Sequence, residues 1–405
     1  MATVLKDRPA HVPAERVVDI DYFDLPGAHE DVPTAWHNLR GRYDLIWTPR
    51  YGGHWIATGA PVMETIYAQP EVFSNCEIGI PPGTMLLPML PIQKDGADHK
   101  AYRSIIEPAF QPKVIEGYAQ RARELTIELI EGFRERGSCE FIADYALILP
   151  LSIFLQMVDL PQADREQLHA HVEVTTRSSD MEKRHQAFRA IMAYLEGWIA
   201  KRREQPGDDL LSTVVHSHPF GRAATHQEIL GLGGLLLFGG LDTVASMMGF
   251  VMHFLATHPT HRQWLIDNPR LVSAGIEEIM RRHAVASNTR MATRAVELDG
   301  VTVKAGDLIL VPTIMYGVDD RKFEQPLEVR FDRTAQRNAT FGAGPHRCPG
   351  MNLARLEMRV MVEEWLKRIP DFEVDPDREV IQRSGAVNGV LQLPLRWHLS
   401  ARRVD

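Results

Sequence analysis

Apolar residues recur with helical spacing across most of residues 99–200, with breaks at Gly137 and at Leu160-Pro161. Pro206-Gly207-Asp208 is a turn. A long helical pattern then runs over 225–257 and stops before Pro259. Another helix is expected over 271–282. Leu353, Leu356, Val360, Met361 and Trp365 mark one apolar face of a last helix that ends before Pro370. Strand patterns are shorter. Residues 45–47 and 54–57 flank Tyr51-Gly52-Gly53 and predict a hairpin. Residues 296–298, 301–303 and 308–311 alternate around turns at Asp299-Gly300 and Ala305-Gly306-Asp307, and residues 372–397 read as further short strands. A short helix is expected over 34–42. The first 30 residues read as an irregular arm. The pattern predicts a mainly α fold with a minor β part, and no linker separates residues 1–405 into independent domains.

Residues 78–92 fit neither period. Ile78, Ile80, Met85, Leu86, Leu87, Met89, Leu90 and Ile92 are broken up by Pro81, Pro82, Pro88 and Pro91, which excludes a regular helix or a central strand. An apolar loop of this length usually covers something.

Composition narrows the classes. The chain has 405 residues and a formal net charge of −8, so nothing electrostatic argues for nucleic acid. Cys76, Cys139 and Cys348 are far apart and odd in number, which argues against a disulfide framework or a C-x-x-C metal clip. The first 22 residues hold no apolar signal core, and the apolar run at 230–238 is too short to span a bilayer. A soluble, cytoplasmic protein without a membrane partner is expected.

The chemistry centres on Phe341-Gly342-Ala343-Gly344-Pro345-His346-Arg347-Cys348-Pro349-Gly350. Its glycines, among them Gly344 and Gly350, let backbone approach a flat partner. Pro349 suits a first helical position, which would make Cys348 the N-cap residue, its sulfur facing the N–H groups of Gly350 and Met351. Such donors favour a thiolate, and a thiolate shielded by the Phe341 ring suits a haem iron ligand. The absence of C-x-x-C-H means a haem held without covalent bonds. The long helix carries Gly239-Gly240-Leu241-Asp242-Thr243. Two interior glycines cost about 2 kcal/mol relative to alanine, a loss explained if Gly239 lets the backbone approach a flat ligand and loosens the local ladder.

The F-x-x-G-x-x-x-C-x-G loop resembles the haem-binding signature of the cytochrome P450 family. The resemblance extends along nearly the whole chain. It is closest to the soluble bacterial camphor hydroxylase type, through Gly53-His54-Trp55-Ile56-Ala57-Thr58, Gly239 to Thr243, Ile369-Pro370-Asp371-Phe372 and Leu393-Pro394-Leu395. It implies a single-domain fold enclosing haem b with Cys348 as axial thiolate. It further implies that Thr243 stabilises iron-bound oxygen while Asp242 feeds protons. Glu278 and Arg281 would form a buried ion pair completed by Arg330. His99, Arg103, Arg290 and His346 would contact the haem propionates, with Arg290 just ahead of the strands. Pocket walls would come from Ile78, Leu87, Met89, Ile92, Leu235, Phe238, Ala286 and Val387. Leu87 falls where the camphor hydroxylase has a tyrosine that hydrogen-bonds a ketone, so the chain departs from that pattern.

The expected function is haem-thiolate monooxygenation: dioxygen donates one atom to a small lipophilic substrate, a terpenoid or an ionone-like norisoprenoid. No flavin or iron–sulfur motif is visible, so electrons would come from an iron–sulfur ferredoxin and its reductase. Arg347, Lys100, Lys113 and Arg103 offer a basic face for it. A peroxygenase or haem dehydratase on the same fold is an alternative that the Asp242-Thr243 pair argues against. A haem gas sensor or electron-transfer protein would leave the apolar loop without purpose.

Overall fold

The long helix His226–Thr257 divides its buried side chains between two apolar clusters. Ile229, Leu232, Leu236 and Leu237 pack with the helices Leu149–Met157 and Met181–Glu204. Ala245, Met248, Val251 and Leu255 pack with the sheet and with the cysteine-side helix Met351–Arg368. Gly239, Gly240 and Thr243 fall between the two clusters, and there the helix is least covered. The structure is a computed structural model and describes residues 5–83, 87–177, 180–334 and 337–399; Met85 and Leu86 of the apolar loop lie outside them.

Thr225 caps this helix in a capping box. Its hydroxyl accepts from Glu228 N at 3.3 Å while the Glu228 carboxylate accepts from Thr225 N at 2.7 Å. Arg222 and Tyr102 bond the same carboxylate, at 2.7 and 2.6 Å to Oε1. The helix is long and apolar enough to cross a membrane, which corrects the expectation from residues 230–238. However, 65% of its most apolar window is buried inside the protein, as in the core helix of a water-exposed fold.

The expected hairpin forms as Leu45–Thr48 and His54–Ala57, antiparallel with Trp47 opposite Trp55. It joins a five-stranded sheet in which His54–Ala57 runs parallel to Leu308–Pro312. Ser287–Ala292 lies next, antiparallel, and then Phe73–Ser74. The sequence reading missed Ser287–Ala292 and set Arg290 ahead of the strands; the structure puts it inside one, opposite Ile309. Ser-Asn-Thr-Arg carries no apolar alternation, and pairing on both edges makes this segment a strand. The helix expected over 34–42 is shorter, Val32–His37, with Asp31 accepting from Thr34 N.

The helix Val272–Arg282 carries the buried pair Glu278–Arg281, with bonds of 2.8 and 2.9 Å. Arg281 is 2% exposed and also donates to the carbonyls of Gly317, Pro326 and Glu328. The third member of the network differs from expectation. Arg333 Nε donates to Glu278 Oε1 at 3.0 Å, whereas Arg330 gives only its backbone N–H, at 3.1 Å. The Arg330 side chain lies outside against Asp332 at 3.4 Å. The two arginines are three positions apart, and the path of the chain decides which one reaches inward. Arg333→Ala should therefore lower stability by about 2–3 kcal/mol, the scale of a charge-assisted hydrogen bond, and Arg330→Ala by less than about 1. Thermal unfolding of both variants checks this, and a larger loss at Arg330 would reverse the assignment.

Candidate active site

The cysteine loop closes on itself before the last helix begins. Gly342 N donates to Ala339 O at 2.8 Å, Arg347 N to Gly344 O at 3.1 Å and Cys348 N to Phe341 O at 2.9 Å. Gly344 has φ +69°, and a Cβ there would stand 2.9 Å from the Tyr67 carbonyl oxygen, so only glycine fits. The helix starts later than expected: it spans Met351–Arg368 with Gly350 as N-cap, which leaves Cys348 two residues upstream of the cap. The sulfur nonetheless meets the N–H groups of Gly350 and Met351.

Those donors do not lower the thiol as expected. Burial pushes Cys348 up, against the pull of Gly350 N–H, Arg103, Met351 N–H and Arg347. Cys348 keeps part of its surface open. A bound metal ion would deprotonate the thiol outright. Above the loop, the Arg355 guanidinium lies 4.9 Å from the Phe341 ring centre.

Around this loop the structure gathers the other expected residues. The helix Gly96–Ile106 presents His99 and Arg103 on one face. The His99 and His346 rings lie 4.1 Å apart, and Asp95 stands 3.3 Å from His346 Nε2. Arg103 donates to the Arg347 carbonyl at 2.8 Å. Burial first, then His346 and Arg103, lower His99 to about 4, so it offers a neutral N–H and not the expected cation. Arg290 is 5% exposed. Among the described residues its guanidinium makes no ion pair and bonds only the Thr289 carbonyl, at 2.8 Å. Arg103 Nε and His346 Nδ1 are also buried without a hydrogen-bond partner, Arg103 Nε lying 3.9 Å from Glu107 Oε1. A buried cation and orphaned donors around one recess fit a ligand that brings carboxylates with it. Tyr67, which the sequence reading missed, belongs to the same set. Its buried hydroxyl has no well-formed hydrogen bond, and its ring lies 5.6 Å from the Arg290 guanidinium. Nothing in its local sequence, Thr-Ile-Tyr-Ala, signals this.

On the long helix, Gly239 is open, with nothing within 4 Å of where a Cβ would stand, whereas a Cβ on Gly240 would stand 3.6 Å from the Phe154 ring. The helix runs unbroken through both glycines, so the expected loosening of its ladder is not present. Asp242 is buried, and Thr243 Oγ1 donates back to the Gly239 carbonyl at 3.2 Å. Ile78, Leu87, Ile92, Leu235 and Phe238 gather as half-buried side chains at the rim of one apolar cluster. Phe341 and Val387 lie at the rim of the other. Ala286 and Val387, 101 positions apart in the chain, are joined by a β-bridge. Met89 sits deeper than expected, 2% exposed, with its methyl toward Gly234. Phe188, which stacks on Phe238 at 5.6 Å, was not foreseen, because helical periodicity alone makes it a core residue.

A cysteine whose sulfur meets backbone donors, the buried Arg290 guanidinium without an ion pair and the open donors of Arg103 and His346, beside half-buried apolar side chains, fit a protein that holds a flat, carboxylate-bearing metal cofactor. Comparison with known proteins agrees. A sequence model described as Cytochrome P450 matches residues 152–400. The chain is 29% identical to the "Probable cytochrome P450 127A1" of Sinorhizobium fredii, over 96% of each chain. It is 30% identical to the "20-oxo-5-O-mycaminosyltylactone 23-monooxygenase" of Streptomyces fradiae, over 75% of this chain and 73% of that one. The crystal structure of cytochrome P450 CYP101C1 superposes with a TM-score of 0.89 at 40% identity, covering 97% of this chain and 100% of that chain. The chain belongs to the cytochrome P450 family and is a cytochrome P450 monooxygenase, of a family that binds haem b through a cysteine thiolate.

If Cys348 supplies that thiolate, the reduced carbon monoxide adduct will absorb at the red-shifted position of thiolate ligation, and Cys348→His will lose that band while keeping a histidine-type one. An unmodified protein with a globin-like adduct would exclude Cys348.

Proposed function

We propose that residues 1–405 form one soluble haem-thiolate monooxygenase domain acting on a small lipophilic molecule of the terpenoid or norisoprenoid class, with electrons from an iron–sulfur ferredoxin. The observation that carries this reading is the seam between the two apolar clusters. The open Gly239 and the half-buried Thr243 lie on the long helix between them, with Leu87 and Phe238 half-buried against one cluster and Phe341 and Val387 against the other. Haem b, held by the Cys348 thiolate, would supply dioxygen activation and oxygen transfer.

The protein supplies the rest. Cys348 offers the sulfur, steadied by Gly350 and Met351 N–H. Arg103, Arg290 and His346 would be the propionate partners, since each carries donor capacity that the protein leaves unused, and the His99 N–H would join them. Thr243 Oγ1 rests on the Gly239 carbonyl and can turn from it to donate into the recess, while the neighbouring Asp242 carboxylate resupplies the proton. Ile78, Leu87, Ile92, Leu235, Phe238, Ala286 and Val387 present no side-chain donor, so substrate would be chosen by apolar shape. Lys100, Lys113 and Arg347 are exposed beside the cysteine loop on a chain of net charge −8, which favours an acidic electron donor at that face.

Thr243→Ala should uncouple the enzyme. Reductant consumption continues, hydrogen peroxide rises and product per electron falls severalfold, with haem content and substrate affinity nearly unchanged. Full coupling in that variant would remove Thr243 from the assignment.

Substrate class is read by optical titration. A buried ketone facing Leu87 loses water without gaining a donor, at a cost of about 1–3 kcal/mol, or roughly ten- to a hundredfold in affinity. β-Ionone should bind more tightly than camphor, and Leu87→Tyr should move the preference toward camphor. Tight camphor binding by the unmodified protein would mean that another residue supplies the donor.

A further inference from the structure

The irregular N-terminal arm touches both irregular walls of the recess from outside. Among its described residues the apolar loop has no sheet or helix to satisfy its backbone, and a buried carbonyl left unpaired is costly. Glu77 collects the N–H groups of Ile78 and Gly79 at 3.0 Å and of Gly83 at 3.1 Å. The Ile80 carbonyl, inside the protein, is bonded by the Tyr22 hydroxyl at 2.9 Å. Tyr22 is 1% exposed and its ring is held on three sides, by Phe23 at 4.2 Å and by Tyr51 and His54 at 5.8 Å each.

Three residues along, the same arm holds the opposite wall. Leu25 N donates to Ser384 Oγ at 3.1 Å, and the Phe23 ring lies 3.3 Å from where a Cβ on Gly385 would stand. That turn carries Val387 to its bridge with Ala286, and Asn388 locks it by accepting from Trp36 Nε1 and Gly385 N. The arm itself is tied to the sheet: Val18 N donates to Trp47 O, Thr48 Oγ1 to Ile20 O and the Tyr51 hydroxyl to Asp21.

We propose that residues 22–25 act as a strap that couples the apolar loop to the Ser384–Val387 turn, and that Tyr22 and Ser384 are positioning residues for substrate choice. This rests on the reading that these two walls line the substrate pocket. The coupling follows from geometry: residues 22–25 lie past the arm's ties at Val18, Ile20 and Asp21, so each wall helps to hold the short segment that the other wall is bonded to. Cutting either bond should then loosen both walls. By linkage, a ligand that orders the walls should also order the arm.

The test uses haem-loaded full-length Tyr22→Phe and Ser384→Ala. Haem content and the reduced carbon monoxide spectrum should match the unmodified protein, since neither residue touches the cysteine loop. The affinity for β-ionone should fall about fivefold, the worth of one net hydrogen bond, while imidazole, which reaches iron without needing the walls, binds as before. Hydrogen exchange read by mass spectrometry decides the coupling. Tyr22→Phe should speed exchange at 384–388 as well as at 78–83, and Ser384→Ala should do the reverse as well as its own side. Exchange that changes only in the wall whose bond was cut would overturn the strap. If β-ionone gives no optical shift even with the unmodified protein, the terpenoid reading fails, and the exchange comparison still decides the strap.

Discussion

Arg281 is the charge that the cysteine side of the molecule is built around. A buried guanidinium is tolerated only if every donor is used, and here a carboxylate and three backbone carbonyls use them. Those carbonyls belong to Gly317, Pro326 and Glu328, so one side chain pins an otherwise irregular stretch to the helix Val272–Arg282. The same helix takes the start of the cysteine loop, where the Thr340 hydroxyl donates to the Met280 carbonyl at 3.3 Å. A sulfur that must meet a metal in one place needs its loop fixed from behind. The ion pair does that without lying in the site.

The front of the site is arranged on the opposite principle. Arg290, Arg103 Nε, His346 Nδ1 and the Tyr67 hydroxyl are buried without adequate partners, while Arg281 has all of its own. Buried donors without partners are costly to a folded protein unless a ligand completes them. Burial raises the Cys348 thiol even with Arg103 and Arg347 near it, and a metal ion would favour the thiolate. The site is thus open to an anion at Arg290 and to a metal ion at Cys348. A metalloporphyrin with carboxylate arms supplies both.

Much of this was legible in the order of residues. Local signals carried the long helix and its stop before Pro259, the hairpin and the apolar loop, because each depends on residues a few positions apart. The spacing from Phe341 to Gly350 carried the site, since a loop closed by its own backbone bonds needs its glycines and its cysteine in a set order. Tertiary structure decided what depends on distant partners. It made Ser287–Ala292 a strand by pairing both its edges, which its polar text could not announce. It selected Arg333 over Arg330, because only the path of the chain says which arginine reaches Glu278. Burial neutralised His99 and raised Cys348, and burial is a property of neighbours that the local sequence does not contain. An arm that reads as irregular bonds two segments far from it in sequence, since Tyr22 meets Ile80 and Leu25 meets Ser384 only once the fold has brought them together.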